Sequence, residues 1–361
     1  MLNFILIGCG KISSNHIKAL AANKQEATLV AVCDPIAKLA EAAAKNYHEL
    51  TGIMPTVYTN SKKAMAHPET DCAAIATGSG FHKELADMAL EHGCHVLIEK
   101  PIALGTQDAR EICDIARKKN LTVGICNQNR FNPVIQQLRR AVEAGRFGKI
   151  THATARILWN RNTAYYEQAP WRGTWKMDGG VLMNQCIHNI DLLQWMLGGE
   201  AESIMAMTRR AMRPIEAEDF GAALVRFKSG AIGIIEGTAC VYPKNLEESL
   251  SFFGEKGTVV IGGAAFNNIK TWEFEEVHPQ DDEIAAIAEK GLTNSQSSGH
   301  TPLYADFIKA VNTGGKPLID GQEGMKSLQL ILGAYKSQKD GQSIEIQDLD
   351  FSTEQMQGTF A

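Results

Sequence analysis

Two stretches of this sequence gather residue types that move protons. Lys100 stands in Glu99-Lys100-Pro101, directly after the apolar run His95–Ile98. An ammonium at a strand's end can hydrogen-bond a reacting hydroxyl and stabilise charge developing on its oxygen. The second stretch is Asp178-Gly179-Gly180-Val181-Leu182-Met183-Asn184-Gln185-Cys186-Ile187-His188-Asn189-Ile190-Asp191. Its apolar periodicity predicts a helix over 181–197, on which Asn184 and His188, four apart, share a face. Asp191 follows His188 by three and can hold the imidazole in one tautomer. An imidazole of ordinary pKa, about 6.5, can accept a hydroxyl proton at neutral pH. Each feature alone has a plainer reading: Lys-Pro is a common loop entry, and a histidine on an apolar helix is often a core residue.

The chain's beginning supplies a place for a dinucleotide. Residues 4–7 form an apolar run that leads into Gly8-Cys9-Gly10-Lys11-Ile12-Ser13. In this G-x-G-x-x-S pattern the first glycine permits a tight strand-to-helix turn and the second lets a pyrophosphate approach the backbone. The third position needs only a small side chain. The following helix offers unpaired N–H groups and a positive dipole end. A second apolar run, 29–33, ends at Asp34, 26 residues after Gly8. A carboxylate there suits ribose hydroxyls and repels a 2′-phosphate, which favours NAD over NADP. A helix-capping turn beside a surface aspartate would use the same residues.

The elements that must carry these groups alternate up to about residue 125. Strand-like runs at 4–7, 29–33, 73–76, His95–Ile98 and 122–126, with a weaker one at Thr56–Tyr58, are separated by helical stretches at 14–22, 36–50, His82–Glu91 and 108–119. That order predicts an α/β, doubly wound Rossmann sheet with helices on both faces. Beyond 125 the grammar changes. After a helix at 133–144 come longer strand-like segments at 150–159, 203–209, 221–227, 231–239, 249–253 and 258–261, several joined by glycine turns. They predict an α+β domain with a large, mostly antiparallel sheet, open on one face. Helices at 303–312 and 322–336 follow, and 276–301 is expected to be a mobile loop. The expected domains are 1–125, binding NAD, and 126–361, binding substrate. The open face is expected to form a homodimer or homotetramer.

Composition narrows the partners. Lys+Arg number 36 and Asp+Glu 41, for a net charge of -5, so there is no electrostatic footprint for nucleic acid. No stretch approaches the ~18 apolar residues of a membrane helix, and residues 1–3 carry no basic leader. Eight cysteines without a CxxC pair read as free thiols in a reducing compartment, so the expected location is the cytoplasm. No metal motif stands out, and neither a nucleophile elbow nor a P-loop is present. Residues 156–176 interleave Arg156, Trp159, Arg161, Tyr165, Tyr166, Trp171, Arg172, Trp175 and Lys176, a set able to stack on a sugar or uracil ring and bind an anion. Packing against a neighbouring domain or subunit is the alternative.

The ordered combination of Gly8-Cys9-Gly10 with Asp34, Glu99-Lys100-Pro101, Asn127-Gln128-Asn129-Arg130-Phe131 and Gly179-Gly180 through His188 to Asp191 resembles the Gfo/Idh/MocA oxidoreductases across nearly the whole chain. The resemblance implies NAD(P)-dependent chemistry on a sugar, inositol or sugar nucleotide, with Lys100 and His188 catalytic. Several members carry an aspartate four residues before that histidine, where this chain has Asn184, which can orient a hydroxyl but not take its proton. By the same resemblance, Thr77, Gly78 and His82 lie in a loop beside the coenzyme, Glu99 and Lys100 adjoin it, and Gln128 and Arg172 are neighbours. Arg156, Trp159, Tyr165, Asn184 and His188, with Lys100, are expected on the substrate side. The 165–176 run and Met183-Asn184-Gln185 are similar to members acting at C3 of UDP-N-acetyl-2-amino-2-deoxyglucuronate, the first substrate expectation. A free sugar or inositol is the second. A non-catalytic NAD-dependent sensor is the competing class.

Overall fold

The structure, a computed structural model, describes residues 1–263, 266, 268–290 and 299–360, which form two compact units. The first comprises Met1–Ala103, Gln107–Gln128 and Ser298–Met325. Its six strands are β1 (Leu2–Ile7), β2 (Ala27–Cys33), β3 (Thr56–Tyr58), β4 (Cys72–Ile75), β5 (His95–Ile98) and β6 (Val123–Ile125). They pair in parallel in the order β3-β2-β1-β4-β5-β6. β4 is buried throughout its length, as expected of a strand covered on both faces. The crossovers carry α1 (Ser13–Ala22), α2 (Ala37–Thr51), α3 (Ser61–Met65), α4 (His82–Glu91) and α5 (Thr106–Lys119). Strand order reverses between β1 and β4, and the crevice beyond their carboxyl ends is where such sheets bind ligands.

The second unit comprises Leu104–Thr106, Asn129–Ser297 and Lys326–Ala361. Its helices α6 (Pro133–Glu143), α7 (Thr163–Tyr166), α8 (Val181–Asn184), α9 (Ile187–Met196) and α10 (Gln280–Lys290) accompany an eight-stranded sheet. The strands are β7 (Ile150–Leu158), β8 (Ala201–Arg209), β9 (Phe220–Phe227), β10 (Ile232–Thr238), β11 (Glu247–Gly254), β12 (Gly257–Gly262), β13 (Asn268–Phe274) and β14 (Ile344–Glu345). Their order is β13-β12-β11-β7-β10-β9-β8-β14. Every pairing is antiparallel except β7 with β10. Burial alternates along β8 and β9. One face packs on α8 and α9, while the other leaves Met205, Met207 and Leu224 more than half exposed. Gly221 and Gly237 let those helices close in: a Cβ on Gly237 would lie 2.5 Å from Cys186 Sγ.

Two further helices, α11 (His300–Thr313) and α12 (Gly321–Asp340), follow. α11 belongs to the first unit, beside α1, with Tyr304 and Phe307 against Phe4 at ring-centroid distances of 5.5 and 6.2 Å. A single division at 125/126 therefore does not describe these units. The apolar face of α11 is that of any amphipathic helix, and nothing local in it names the sheet it covers. The segment expected as a loop over 276–301 contains α10, and residues 291–298 lie outside the described ones. Asp281 explains the helix. It accepts from Arg146, Trp272 Nε1 and the His278 backbone N–H, each at 2.8 Å, and the Arg146 guanidinium helps hold its carboxyl well below the usual range. No helix among the described residues is long and apolar enough to cross a membrane.

Candidate functional site

The glycine-rich turn expected to hold the coenzyme lies in the first unit. Gly8 has φ +96°, and a Cβ there would sit 2.5 Å from the Ala76 carbonyl oxygen, so β1 and β4 can end this close together only with glycine. Gly10 is different: a Cβ there meets nothing within 4 Å. The protein's own packing does not require this glycine, but a pyrophosphate on the backbone would. Ser13 Oγ folds back to donate to the Gly10 carbonyl at 2.6 Å. Lys11 is exposed, and Ile12 occupies the N-cap of α1 without a side-chain cap bond. These residues fit a dinucleotide, and a test follows. Gly10→Ala is expected to leave the unfolding midpoint nearly unchanged but weaken NADH binding by about tenfold, or ~1.4 kcal/mol. Gly8→Ala is expected to lower both. Unchanged affinity in Gly10→Ala, by fluorescence titration, removes the close-approach argument.

Asp34 is buried at the end of β2. Its Oδ2 accepts the Cys9 N–H and its Oδ1 the Ile36 N–H, each at 2.9 Å. Each carboxylate oxygen keeps a second acceptor site for a ribose hydroxyl, and the negative charge opposes a 2′-phosphate. Burial, then the charge of Asp34, pushes the Cys9 thiol up to about 12, so Cys9 contributes its backbone and no thiolate. Thr77 and Gly78 are half-buried after β4, and Gln128 is half-buried in a 3-10 turn, with its Oε1 buried and without a hydrogen-bond partner among the described residues.

Two expectations change. His82 is fully buried, with Nδ1 2.7 Å from the Pro101 carbonyl and Nε2 3.3 Å from that of Thr77. It is a strut between two loops, and burial holds its pKa below the ordinary value. Glu99 is also buried, its Oε1 3.1 Å from Nε2 of both His16 and His300. Its charge is engaged within the fold, so it is not a surface for coenzyme. Lys100, next in the chain, is only half-buried.

The expected base and its neighbours lie in the second unit. The expected helix over 181–197 is broken at Gln185-Cys186 into α8 and α9, where the Cys186 N–H reaches five residues back to the Val181 carbonyl at 3.0 Å. Throughout 181–197 every residue is buried except Asn184 and His188. Glu218 seats the start of α8. Its backbone carbonyl accepts the Val181 N–H, and its Oε1 accepts the Leu182 N–H and Tyr335 O–H, all at 2.9 Å. Gly180 must be glycine because a Cβ would lie 1.9 Å from Glu218 Oε2. Burial pushes the Glu218 carboxyl up to about 8.

Asn184 donates to Asp178 Oδ1 and accepts from Gln185 Nε2 at 2.9 Å and Tyr165 O–H at 3.5 Å. An aspartate at 184 would face Asp178 carboxylate to carboxylate, and one of the two would have to hold a proton. Asparagine avoids that repulsion. Tyr165 O–H also accepts from Arg172 and from Gln185 at 3.1 Å. The Arg172 guanidinium lies 4.3 Å over the Tyr165 ring, and that of Arg161 lies 4.5 Å over Trp159. Arg172, expected as a coenzyme neighbour, is thus built into the aromatic cluster.

Two other expected roles are corrected. Asp191 is 1% exposed, and both its oxygens are taken by Arg130, Nε at 2.8 Å and Nη2 at 2.7 Å. It anchors a buried guanidinium, and a position three residues after His188 gave no hint of that partner. Arg156 lies on the open face of β7, the face away from α9, bonded to Glu236 at 2.8 Å and Glu247 at 3.3 Å. That cross-strand ladder removes it from the side of the sheet that carries His188. The sequence reading missed His16, His300, Glu218 and the long-range role of Arg130. Charged residues flanked by apolar ones were the available signal.

Residues 2–126 match a family described as oxidoreductases with an NAD-binding Rossmann fold, and residues 135–260 match the GFO/IDH/MocA C-terminal domain. Among solved structures, the chain is 38% identical to the WlbA dehydrogenase of Bordetella pertussis, seen with NADH and UDP-GlcNAcA. The match covers 95% of this chain and 97% of that one, at a TM-score of 0.88. The D-glucoside 3-dehydrogenase of Escherichia coli is 27% identical, over 96% of this chain and 97% of that relative. The myo-inositol 2-dehydrogenase of Thermotoga maritima is 24% identical, over 95% and 98%. A glycine cradle at the β1/β4 switch point and both domain matches agree: the chain belongs to the Gfo/Idh/MocA family of NAD-binding oxidoreductases.

Proposed function

We propose that this enzyme oxidises a secondary hydroxyl on a sugar ring, the first candidate being C3 of a UDP-linked N-acetylhexosaminuronate. The observation that carries the reading is the exposure pattern of 181–197, a buried run in which only Asn184 and His188 reach the surface. His188 accepts the hydroxyl proton. Lys100 is assigned as the donor that hydrogen-bonds the reacting oxygen and stabilises its growing charge. Asn184, its amide orientation fixed by Asp178 and Gln185, orients the hydroxyl. Bound NAD supplies the hydride acceptor. Gly8, Gly10, Asp34, Thr77 and Gly78 hold it. Trp159, Arg161, Tyr165 and Arg172 offer aromatic faces and cations to a nucleotide-linked, anionic sugar.

The likeness to WlbA, seen with UDP-GlcNAcA, supports the substrate class. The inositol and glucoside dehydrogenases among the relatives support a second reading, a free polyol or sugar. A sensor without chemistry would need neither Lys100 nor His188. The half-exposed Met205, Met207 and Leu224 on the open sheet support assembly with further copies of this chain, and eight free cysteines support a reducing, cytoplasmic setting. Purified protein with NAD is expected to form NADH with UDP-GlcNAcA, and at most a few per cent as fast with myo-inositol or a methyl glucoside. Faster turnover of the free polyols overturns the nucleotide-sugar reading. Tight NADH binding without turnover of any of them favours the sensor.

A further inference from the structure

The cluster around Glu99 joins three elements far apart in sequence. His16 comes from α1, Glu99 from the end of β5, and His300 is the first residue of α11, and all three are buried. Glu99 Oε1 lies 3.1 Å from each imidazole Nε2, and His16 Nδ1 lies 2.8 Å from the Tyr304 hydroxyl. A carboxylate oxygen only accepts, so both Nε2 atoms carry hydrogen, and Nδ1 of a neutral His16 accepts from Tyr304 O–H. The three side chains present donor atoms within 4.8 Å of one another, and this pairing accounts for them without a cation. Burial alone would raise the Glu99 carboxyl, but the two imidazole donors hold it well below the usual range. Burial lowers His16. Glu99 Oε2 in turn accepts the backbone N–H of Lys100 at 3.3 Å.

We propose that Glu99, clamped between His16 and His300, is a positioning residue for Lys100: the clamp fixes the end of β5 and keeps a carboxylate charge one residue before the ammonium. The inference rests on the reading of Lys100 as a charged donor to the reacting oxygen. Burying an ionised carboxylate costs several kcal/mol even when paired, and an apolar side chain would fill the space as well. A negative charge beside Lys100 favours its ammonium form. The other groups that face Glu99 do not supply that charge. His82 on α4 is held toward neutral by burial. The thiol of Cys126, after β6, is pushed well above its ordinary value by burial and then by Glu99, as is the Tyr304 hydroxyl of α11 by burial.

The test uses the full chain with its lysines reductively methylated with a carbon-13 label and the Lys100 signal assigned through Lys100→Arg. Glu99→Gln is expected to lower the Lys100 pKa by about one unit or more, while Glu99→Asp keeps it near wild type. With a turning-over sugar, the alkaline limb of the kcat/KM profile moves down with it, and kcat falls about tenfold or more with little change in KM for NAD. A Glu99→Gln variant that only unfolds at lower temperature, with Lys100 titrating as before, overturns the proposal. If Glu99→Gln does not fold, His300→Ala, which cuts one arm of the clamp, must displace the Lys100 resonance, and an unmoved resonance overturns it. Because the titration needs no substrate, an error in the substrate reading does not disturb this outcome.

Discussion

Replacing Lys100 with methionine is expected to lower kcat by about 100- to 1,000-fold, the usual loss when one preorganised donor at a developing oxyanion is removed. Replacing His188 with alanine is expected to lower it by about 100- to 10,000-fold, the range for a positioned general base. NADH affinity should stay within about twofold in both variants, because the proposed pyrophosphate and ribose contacts are at Gly8, Gly10 and Asp34. Rigid backbones deliver the two side chains. β5 is buried at Val96, Leu97 and Ile98, and α9 is buried along its length apart from His188 itself. The double variant should be little worse than His188→Ala alone, since groups serving one proton transfer are strongly non-additive. Steady-state NADH formation with whichever sugar or polyol is turned over and a fluorescence titration of NADH measure both quantities. Normal turnover in either single variant removes that residue from the mechanism. Parallel losses of turnover and NADH affinity would instead mark a coenzyme contact.

The residues that keep the chain short of space were the easiest to read. Gly8 sits where strand, turn and helix signals meet within ten residues, and the structure gives a steric reason for it in the 2.5 Å approach to Ala76. The strands of the second sheet were legible for a similar reason, since alternation along 203–209 and 221–227 is local. β13, Asn268–Phe274, was missed although Gly262-Gly263 signals a turn before it, because its apolar residues Ile269, Trp272 and Phe274 do not alternate regularly and none of its residues is buried. β14 has two residues and no pattern of its own. What the sequence could not give was the partner of each buried charge. Glu99 looked like a motif neighbour of Lys100, yet its two imidazole partners are 83 and 201 residues away. Arg156 had the right chemistry for an anion, but strand register placed it opposite Glu236 and beside Glu247, on the other face of the sheet from α9. Side-chain type announces a charge, while only the fold says which opposite charge it meets.

Asp191 makes that point testable. Asp191→Asn is expected to destabilise the protein by about 3–5 kcal/mol, because it takes away the carboxylate to which both Nε and Nη2 of the buried Arg130 guanidinium donate. Both side chains are essentially inaccessible, at 0% and 1%, and joined by two parallel bonds, a geometry water cannot replace. The Trp195 ring, with its centroid 4.8 Å from the guanidinium carbon, and Gln194, donating to Asp191 Oδ1 at 3.3 Å, pack against the pair. Replacing both partners, as Arg130→Met with Asp191→Leu, is expected to recover most of the loss, since the desolvation penalty of each charge disappears with the pair. The shift in urea midpoint separates this anchoring role from a catalytic one. A residue that only oriented His188 would lose kcat on amidation and keep its midpoint, whereas an anchor of the helix presenting His188 loses the midpoint first, and the apolar pair restores it without restoring any charge.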